Sequence, residues 1–231
     1  MAVWALIGFM GCGKSSIGRL VASFCGLGGS PLREFASLTP PSAAADGPPA
    51  SVPRVARPSE GNHQPTNQQA ADGQILFIDL DEEIVRREGR SIPEIFAAAG
   101  EAGFRAIERK TLNNVLAAVP TDLLISLGGG TLTDAESREM VRRNCKCIYL
   151  RASVQELAKN LREDGAAAGR PMLAGADPDA PADAPDSLES RISAMMTVRG
   201  PIYEKAADII LDIDGLDYSD VAQQILNSFS L

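Results

Sequence analysis

Apolar residues fall along the chain in five short runs. The first is residues 2–7; beyond a glycine-rich loop, Ile17, Leu20, Val21 and Phe24 recur at the spacing of one helix face. This pattern predicts a strand, a loop and a helix, with Gly26 as the helix stop. The other runs are 75–78, 123–127, 147–150 and 209–213, with helical patterns between most of them. Strands that alternate with helices predict an α/β fold on a parallel sheet. The connection over 81–119 is predicted to be helical. Its Ser91, Ile92, Pro93 and Glu94 form a capping box with proline in the first turn, leading into Ile95 and Phe96. A second helix carries Phe104, Ile107, Leu112 and Val115, and its polar Arg105 and Glu108 share a face.

Two stretches break the pattern. Residues 27–73 hold 8 of the 15 prolines and, after Phe35, only Leu38, Val52 and Val55 among large apolar side chains. Such a segment buries too little surface to offset the entropy of ordering, which predicts a disordered insertion; a small ligand-binding subdomain is the competing reading. Its His63 reads as a solvated polar residue. Residues 174–187, with four aspartates, three prolines and no basic residue, read as a mobile acidic loop, and 170–190 as a lid with that loop.

With 231 residues and 45% apolar content, the chain suits one domain with a sizeable core. A formal charge of −8 opposes broad attraction to nucleic acid or an anionic membrane, so neither is expected as a partner and an anionic ligand must be held by a local basic cluster. Four cysteines make no disulfide framework and point to a reducing compartment. The apolar run of residues 1–10 has neither a basic flank nor a cleavage site, so it reads as neither signal peptide nor membrane span. The expected location is the cytoplasm, or a plastid if a transit peptide precedes this sequence. The expected state is a monomer.

Candidate chemistry sits at the carboxyl ends of the predicted strands. Gly8 to Ser15 reads GFMGCGKS, the phosphate-binding loop pattern, directly after a strand and before a helix. Its glycines let backbone N–H groups turn inward around phosphate oxygens, and the helix N-terminus adds partial positive charge. Lys14 reaches the terminal phosphates and Ser15 can ligate magnesium. Gly11, Cys12, Gly13, Lys14, Ser15 and Ser16 are the candidate nucleotide contacts, with Cys12 read as a tolerated small residue. Such a loop alone does not choose among a GTPase, an ATPase motor and a small-molecule kinase. A second cluster, LGGGT over 127–131, lets a small substrate lie against backbone at the sheet edge. Asp79 and Asp81 in FIDLD end the second strand; Asp79 suits waters around magnesium, and for both residues helix capping competes with a functional role.

Six ordered segments resemble the shikimate kinase family: GFMGCGKSSIGRLVA, FIDLDEEI, GRSIPEIFAAAGEAGFRAIE, LISLGGGT, GRPMLAG and TVRGPIYEKAADIIL. The likeness covers residues 2–26 and 74–231, about four fifths of the chain. It implies a nucleoside-monophosphate-kinase-like P-loop fold with a five-stranded parallel sheet flanked by helices, substrate-binding helices and a lid. It also implies transfer of the ATP γ-phosphoryl group to the 3-hydroxyl of shikimate, with Mg2+, in aromatic amino acid biosynthesis. In that reading Asp81 binds the shikimate hydroxyls and accepts a proton, Arg105 and Arg199 clamp the carboxylate, and Gly128, Gly129 and Gly130 cradle the ring. Arg170 in the lid contacts ATP and stabilises the transferring phosphoryl, while Lys14 completes the catalytic set. Planar guanidinium donors at one end and a carboxylate at the other suit a small polyhydroxy acid. The long insertion and the extended acidic loop depart from the family pattern. The spacing before GRPML is also longer, which leaves the adenine contact open between Lys159 and Arg162. The alternatives are another small-molecule kinase of this fold, such as a gluconate-type enzyme, and a non-catalytic regulatory relative.

Overall fold

The five apolar runs become five parallel strands in the computed structural model, which describes residues 2–25, 75–118, 122–163, 173, 184 and 187–229. In chain order the elements are β1 (Val3–Ile7), α1 (Lys14–Phe24), β2 (Ile75–Asp79), α2 (Leu80–Glu88), α3 (Ile92–Ala117), β3 (Asp122–Ser126), a 3-10 turn (Thr131–Thr133), α4 (Ala135–Asn144), β4 (Lys146–Arg151), α5 (Val154–Glu163), α6 (Leu188–Ala206), β5 (Ile209–Asp212) and α7 (Tyr218–Ser228). The sheet order is β2-β3-β1-β4-β5, which puts the first strand in the middle. Trp4 lies level with Leu124 of β3 on one side and Lys146 of β4 on the other, and Asp79 of β2 lies level with Ser126 of β3. That register brings the loops after β1, β2 and β3 to the same carboxyl edge of the sheet. In open α/β sheets this edge is where ligands bind.

The central strands are buried on both faces, so they read as unbroken apolar runs rather than alternating ones. Ala5, Leu6, Leu123, Leu124, Ile125, Ile148 and Leu150 are wholly buried, whereas β5, at an edge, alternates between half-buried and exposed positions. α1 turns Ile17 and Val21 into this core and packs against α7. The close approach of α1 to the sheet depends on Gly18, where a Cβ would lie 2.1 Å from the Phe77 ring. Trp4 stacks at 4.9 Å on Phe229, just beyond the end of α7, and draws the two ends of the described chain together.

Local sequence sets the helix boundaries. α3 begins with the expected capping box: Ser91 and Glu94 each bond the other's backbone N–H, with proline in the first turn. Within it, Gly100 at φ 66° and ψ −175° breaks the helical path, which separates the Ile95 face from the Phe104 face, as two successive helical patterns predicted. Asp79 rather than Asp81 caps α2, with Asp81 already inside its first turn. The reason is that Leu80 joins the helix and fills a core position, 0% exposed, so the cap falls one residue before it. The expected helix stop at Gly26, the insertion at 27–73 with His63, and nearly all of the lid and acidic loop at 170–190 lie outside the described residues.

Candidate active site

Three glycines give the loop after β1 its shape. Gly8, Gly11 and Gly13 have φ of 145°, 82° and 79°, a region that strains side-chain-bearing residues. Space excludes a side chain as well: a Cβ at Gly8 would sit 2.7 Å from the Leu150 carbonyl oxygen, and one at Gly13 would sit 2.7 Å from the Tyr218 ring. Asn160 of α5 steadies the loop from outside by donating to the Gly11 carbonyl at 3.0 Å. Lys14 is buried and curls back onto its own loop, donating to the carbonyls of Gly8 at 3.0 Å and Phe9 at 2.8 Å, with Cys12 Sγ at 3.6 Å. Its ammonium is thereby held at the mouth of the loop.

Asp79 connects the loop to β2. Its Oδ1 accepts from the backbone N–H groups of Asp81 at 3.0 Å and Glu82 at 3.2 Å, and its Oδ2 accepts from the Ser15 hydroxyl. A hydroxyl and a buried carboxylate side by side at the phosphate loop are hard oxygen donors, the chemistry that suits Mg2+. A cavity of about 230 Å³ runs from this pair to the second glycine cluster, and its walls include Gly11, Gly13, Lys14, Ser15, Ser16, Asp79, Asp81, Gly128 and Gly129. The predicted phosphate groups therefore share one space with Asp81, Gly128 and Gly129, whereas Arg105, Gly130 and Arg199 are not among its walls.

The glycine triplet is packed from three sides. A Cβ on Gly128 would lie 3.0 Å from Asp81 Oδ1 and 2.9 Å from Glu108 Oε1. At Gly129 it would lie 3.0 Å from the Met10 backbone nitrogen, so the triplet abuts the phosphate loop itself. At Gly130 it would fall 2.1 Å from Arg105 Nη2, so the absent side chain leaves the space that the guanidinium occupies. Arg105 donates from Nη1 to Glu108 Oε2 at 2.7 Å and from Nη2 to Glu101 at 3.5 Å; its buried Nε has no hydrogen-bond partner among the described residues. Arg105 and Glu108, expected to share a helix face, are thus paired, and the pair exists together with the placement at the triplet. Arg199 of α6 is buried, donates from Nη1 to the Gly129 carbonyl at 3.3 Å, and lies over the Phe9 ring at 5.6 Å.

Several residues enter the site to which the sequence reading gave no role there. Glu108, 1% exposed, holds Arg105 with one oxygen and takes the Thr131 hydroxyl at 2.6 Å with the other. Tyr203, also buried, donates its hydroxyl to the Gly129 carbonyl. Its helical offset of four from Arg199 is a signal in the sequence, since residues so spaced share a face. Phe9 occupies a freely variable position of the loop pattern, and nothing in that pattern marks it. Of the two adenine candidates, Arg162 is held by Glu189 at 2.7 Å and Lys159 lies 3.8 Å from Glu156. Arg170 lies outside the described residues. Burial pushes the Cys145 and Cys147 thiols up to about 12, so they stay protonated and poorly nucleophilic.

Residues 66–230 match the family model described as shikimate kinase. The chain belongs to the shikimate kinase family. It is 37% identical over 150 residues to a shikimate kinase of Stenotrophomonas maltophilia, covering 65% of this chain and 75% of that protein. With a shikimate kinase of Rhodococcus erythropolis it shares 36% over 154 residues, covering 67% of this chain and 82% of that one. Among solved structures, shikimate kinase from Acinetobacter baumannii in complex with shikimate has a TM-score of 0.67 at 24% identity, covering 100% of this chain and 93% of that one. The family match begins at residue 66, beyond the phosphate loop. The loop nonetheless follows the central strand of the sheet to which the matched strands belong. Among the described residues no helix is long and apolar enough to cross a membrane.

Proposed function

We propose that this chain transfers the γ-phosphoryl group of ATP to the 3-hydroxyl of shikimate. The observation that carries this reading is the cavity joining Lys14, Ser15 and Asp79 to Asp81, Gly128 and Gly129, in a member of a family whose relatives at 36–37% identity are named shikimate kinase. The backbone N–H groups of Gly11 to Ser16 cradle the phosphates. Lys14 exchanges the carbonyls of Gly8 and Phe9 for phosphate oxygens, a stronger, charge-assisted bond. Ser15, and Asp79 through water, hold Mg2+, which when bound neutralises phosphate charge.

Beyond the walls of the cavity, Arg105 next to Gly130 and Arg199 on the Gly129 carbonyl take the carboxylate, and the open backbone of Gly128 to Gly130 lets the ring approach closely. Asp81, beside Gly128, orients the acceptor hydroxyl. The hydroxyl oxygen forms the new bond to the γ-phosphorus while the bond from that phosphorus to the bridging oxygen of ADP breaks. The hydroxyl proton passes to Asp81. Arg170 neutralises charge on the transferring group, and the chain works as a cytoplasmic monomer in which residues 27–73 take no part in the chemistry.

A coupled assay of ADP release tests the reading. Turnover is expected with ATP, Mg2+ and shikimate together, and little with ATP alone or with gluconate. Equal ADP release with and without shikimate would overturn it.

A further inference from the structure

The Gly129 carbonyl receives two donors from one face of α6. Tyr203, 2% exposed, donates its hydroxyl; Arg199, one turn earlier, donates from 3.3 Å. A carbonyl oxygen has two lone pairs and accepts both. The donors are not equivalent, because an N–H···O separation of 3.3 Å lies beyond the usual range, which leaves the phenol as the firm partner. Burial raises the Tyr203 pKa, so the hydroxyl remains a donor throughout the neutral range. Its ring is held against Tyr149 at 5.3 Å.

We propose that Tyr203 is a positioning residue that frees Arg199 for the substrate carboxylate. The proposal rests on the shikimate reading above. A guanidinium N–H turned towards a carboxylate gains a charge-assisted bond, but it leaves whatever it previously bonded. With Tyr203 in place, the part-buried Gly129 oxygen keeps its firm donor when Arg199 leaves, and capture of the substrate strands no protein acceptor. Without the hydroxyl, Arg199 is the remaining donor to that oxygen. Each capture of a carboxylate then leaves a part-buried acceptor without its protein donor, and the cost appears as lost substrate affinity. The proposed role is therefore conditional: the Tyr203 hydroxyl matters to substrate binding only while Arg199 is present to be released.

A double-mutant cycle reads that condition directly. Tyr203→Phe, Arg199→Ala and the double variant are assayed for KM and kcat with each substrate, with melting followed alongside. Tyr203→Phe alone is expected to raise KM for shikimate about tenfold and to leave KM for ATP within about twofold. In the Arg199→Ala background the same substitution is expected to add less than about twofold. An equal factor in both backgrounds, or no change in the single variant, would overturn the role, because a merely structural tyrosine does not depend on Arg199. Should Tyr203→Phe melt below the assay temperature, the cycle is run on shikimate binding by calorimetry in the cold, with the same expected outcomes. Absence of shikimate-dependent turnover in the unaltered protein would instead overturn the parent reading; turnover present with equal factors overturns Tyr203 alone.

Discussion

The Ser15 hydroxyl is bonded to the carboxylate of Asp79, 64 positions further along the chain. The same carboxylate caps α2 with its other oxygen, so one side chain fixes both the start of a helix and the Ser15 edge of the phosphate loop. Asp79→Asn keeps an oxygen for the cap and loses the charge. Its melting temperature is expected to fall only slightly, while the Mg2+ concentration for half-maximal rate rises several-fold. Asp79→Ala is expected to lose the cap as well, at about 1 kcal/mol of stability. Thermal melts and a Mg2+ titration of turnover distinguish the two effects.

Lys14 makes its bonds inside its own loop, so its removal is expected to spare the fold and strike the chemistry. Lys14→Ala should lower turnover by about 10² to 10³, the usual cost of one preorganised charge at a reacting group. Activity near that of the unaltered protein would refute the phosphate-loop assignment.

For Asp81, shape and basicity can be separated. Asp81→Asn is nearly isosteric, and if the carboxylate accepts the proton turnover is expected to fall by about 10² to 10⁴ with a smaller change in KM. A modest fall would leave Asp81 as an orienting group.

Gly130 and Arg105 compete for one space. Gly130→Ala places a methyl 2.1 Å from the present position of Arg105 Nη2, and the flexible guanidinium is the part that yields. The variant is therefore expected to imitate Arg105→Ala in substrate kinetics, with KM for shikimate up about tenfold or more and KM for ATP little changed. The two should differ in stability. Arg105→Ala strands Glu108, which is 1% exposed, whereas Gly130→Ala leaves the arginine within reach of it. Kinetics with each substrate and a urea melt of both variants test this.

Residues 27–73 contain none of the matched catalytic segments. Replacing them with a short glycine-serine link is expected to leave shikimate phosphorylation within a few-fold of normal. Shortening a 47-residue connection to about five stabilises the fold by roughly 2 kcal/mol at most, since closure entropy grows only with the logarithm of length. Loss of shikimate-dependent activity with the circular dichroism spectrum unchanged would assign the segment to the site.

Much of this arrangement is legible in the linear sequence because its signals are local. β1, the loop from Gly8 to Ser15 and α1 follow from an apolar run, glycine spacing and helical periodicity within 24 residues. The capping box at Ser91 and the break at Gly100 are equally local. What escapes is set by contacts between distant segments. Asp79 and Asp81 both suit a cap, and only the burial of Leu80 in the folded core decides between them. Glu108 gains its second role from Thr131, and Tyr203 from Gly129, across separations of 23 and 74 positions. Arg162, one of the two adenine candidates by position, is bonded to Glu189, 27 positions further along, a contact that no local pattern marks.

The stacking of Trp4 on Phe229 has a consequence for connectivity. Ala2 also donates its backbone N–H to Asp122 at 2.7 Å, so the beginning of the described chain is fastened to the middle of the sheet while its far end lies beside it. Topologically the domain is close to a closed ring, its two described ends lying side by side. Nothing in the sheet order requires that the phosphate loop come first. A gene reading from β2 round to α7 and then, through a short join, into β1 and α1 would specify the same neighbours for every strand, with the phosphate loop near the carboxyl terminus.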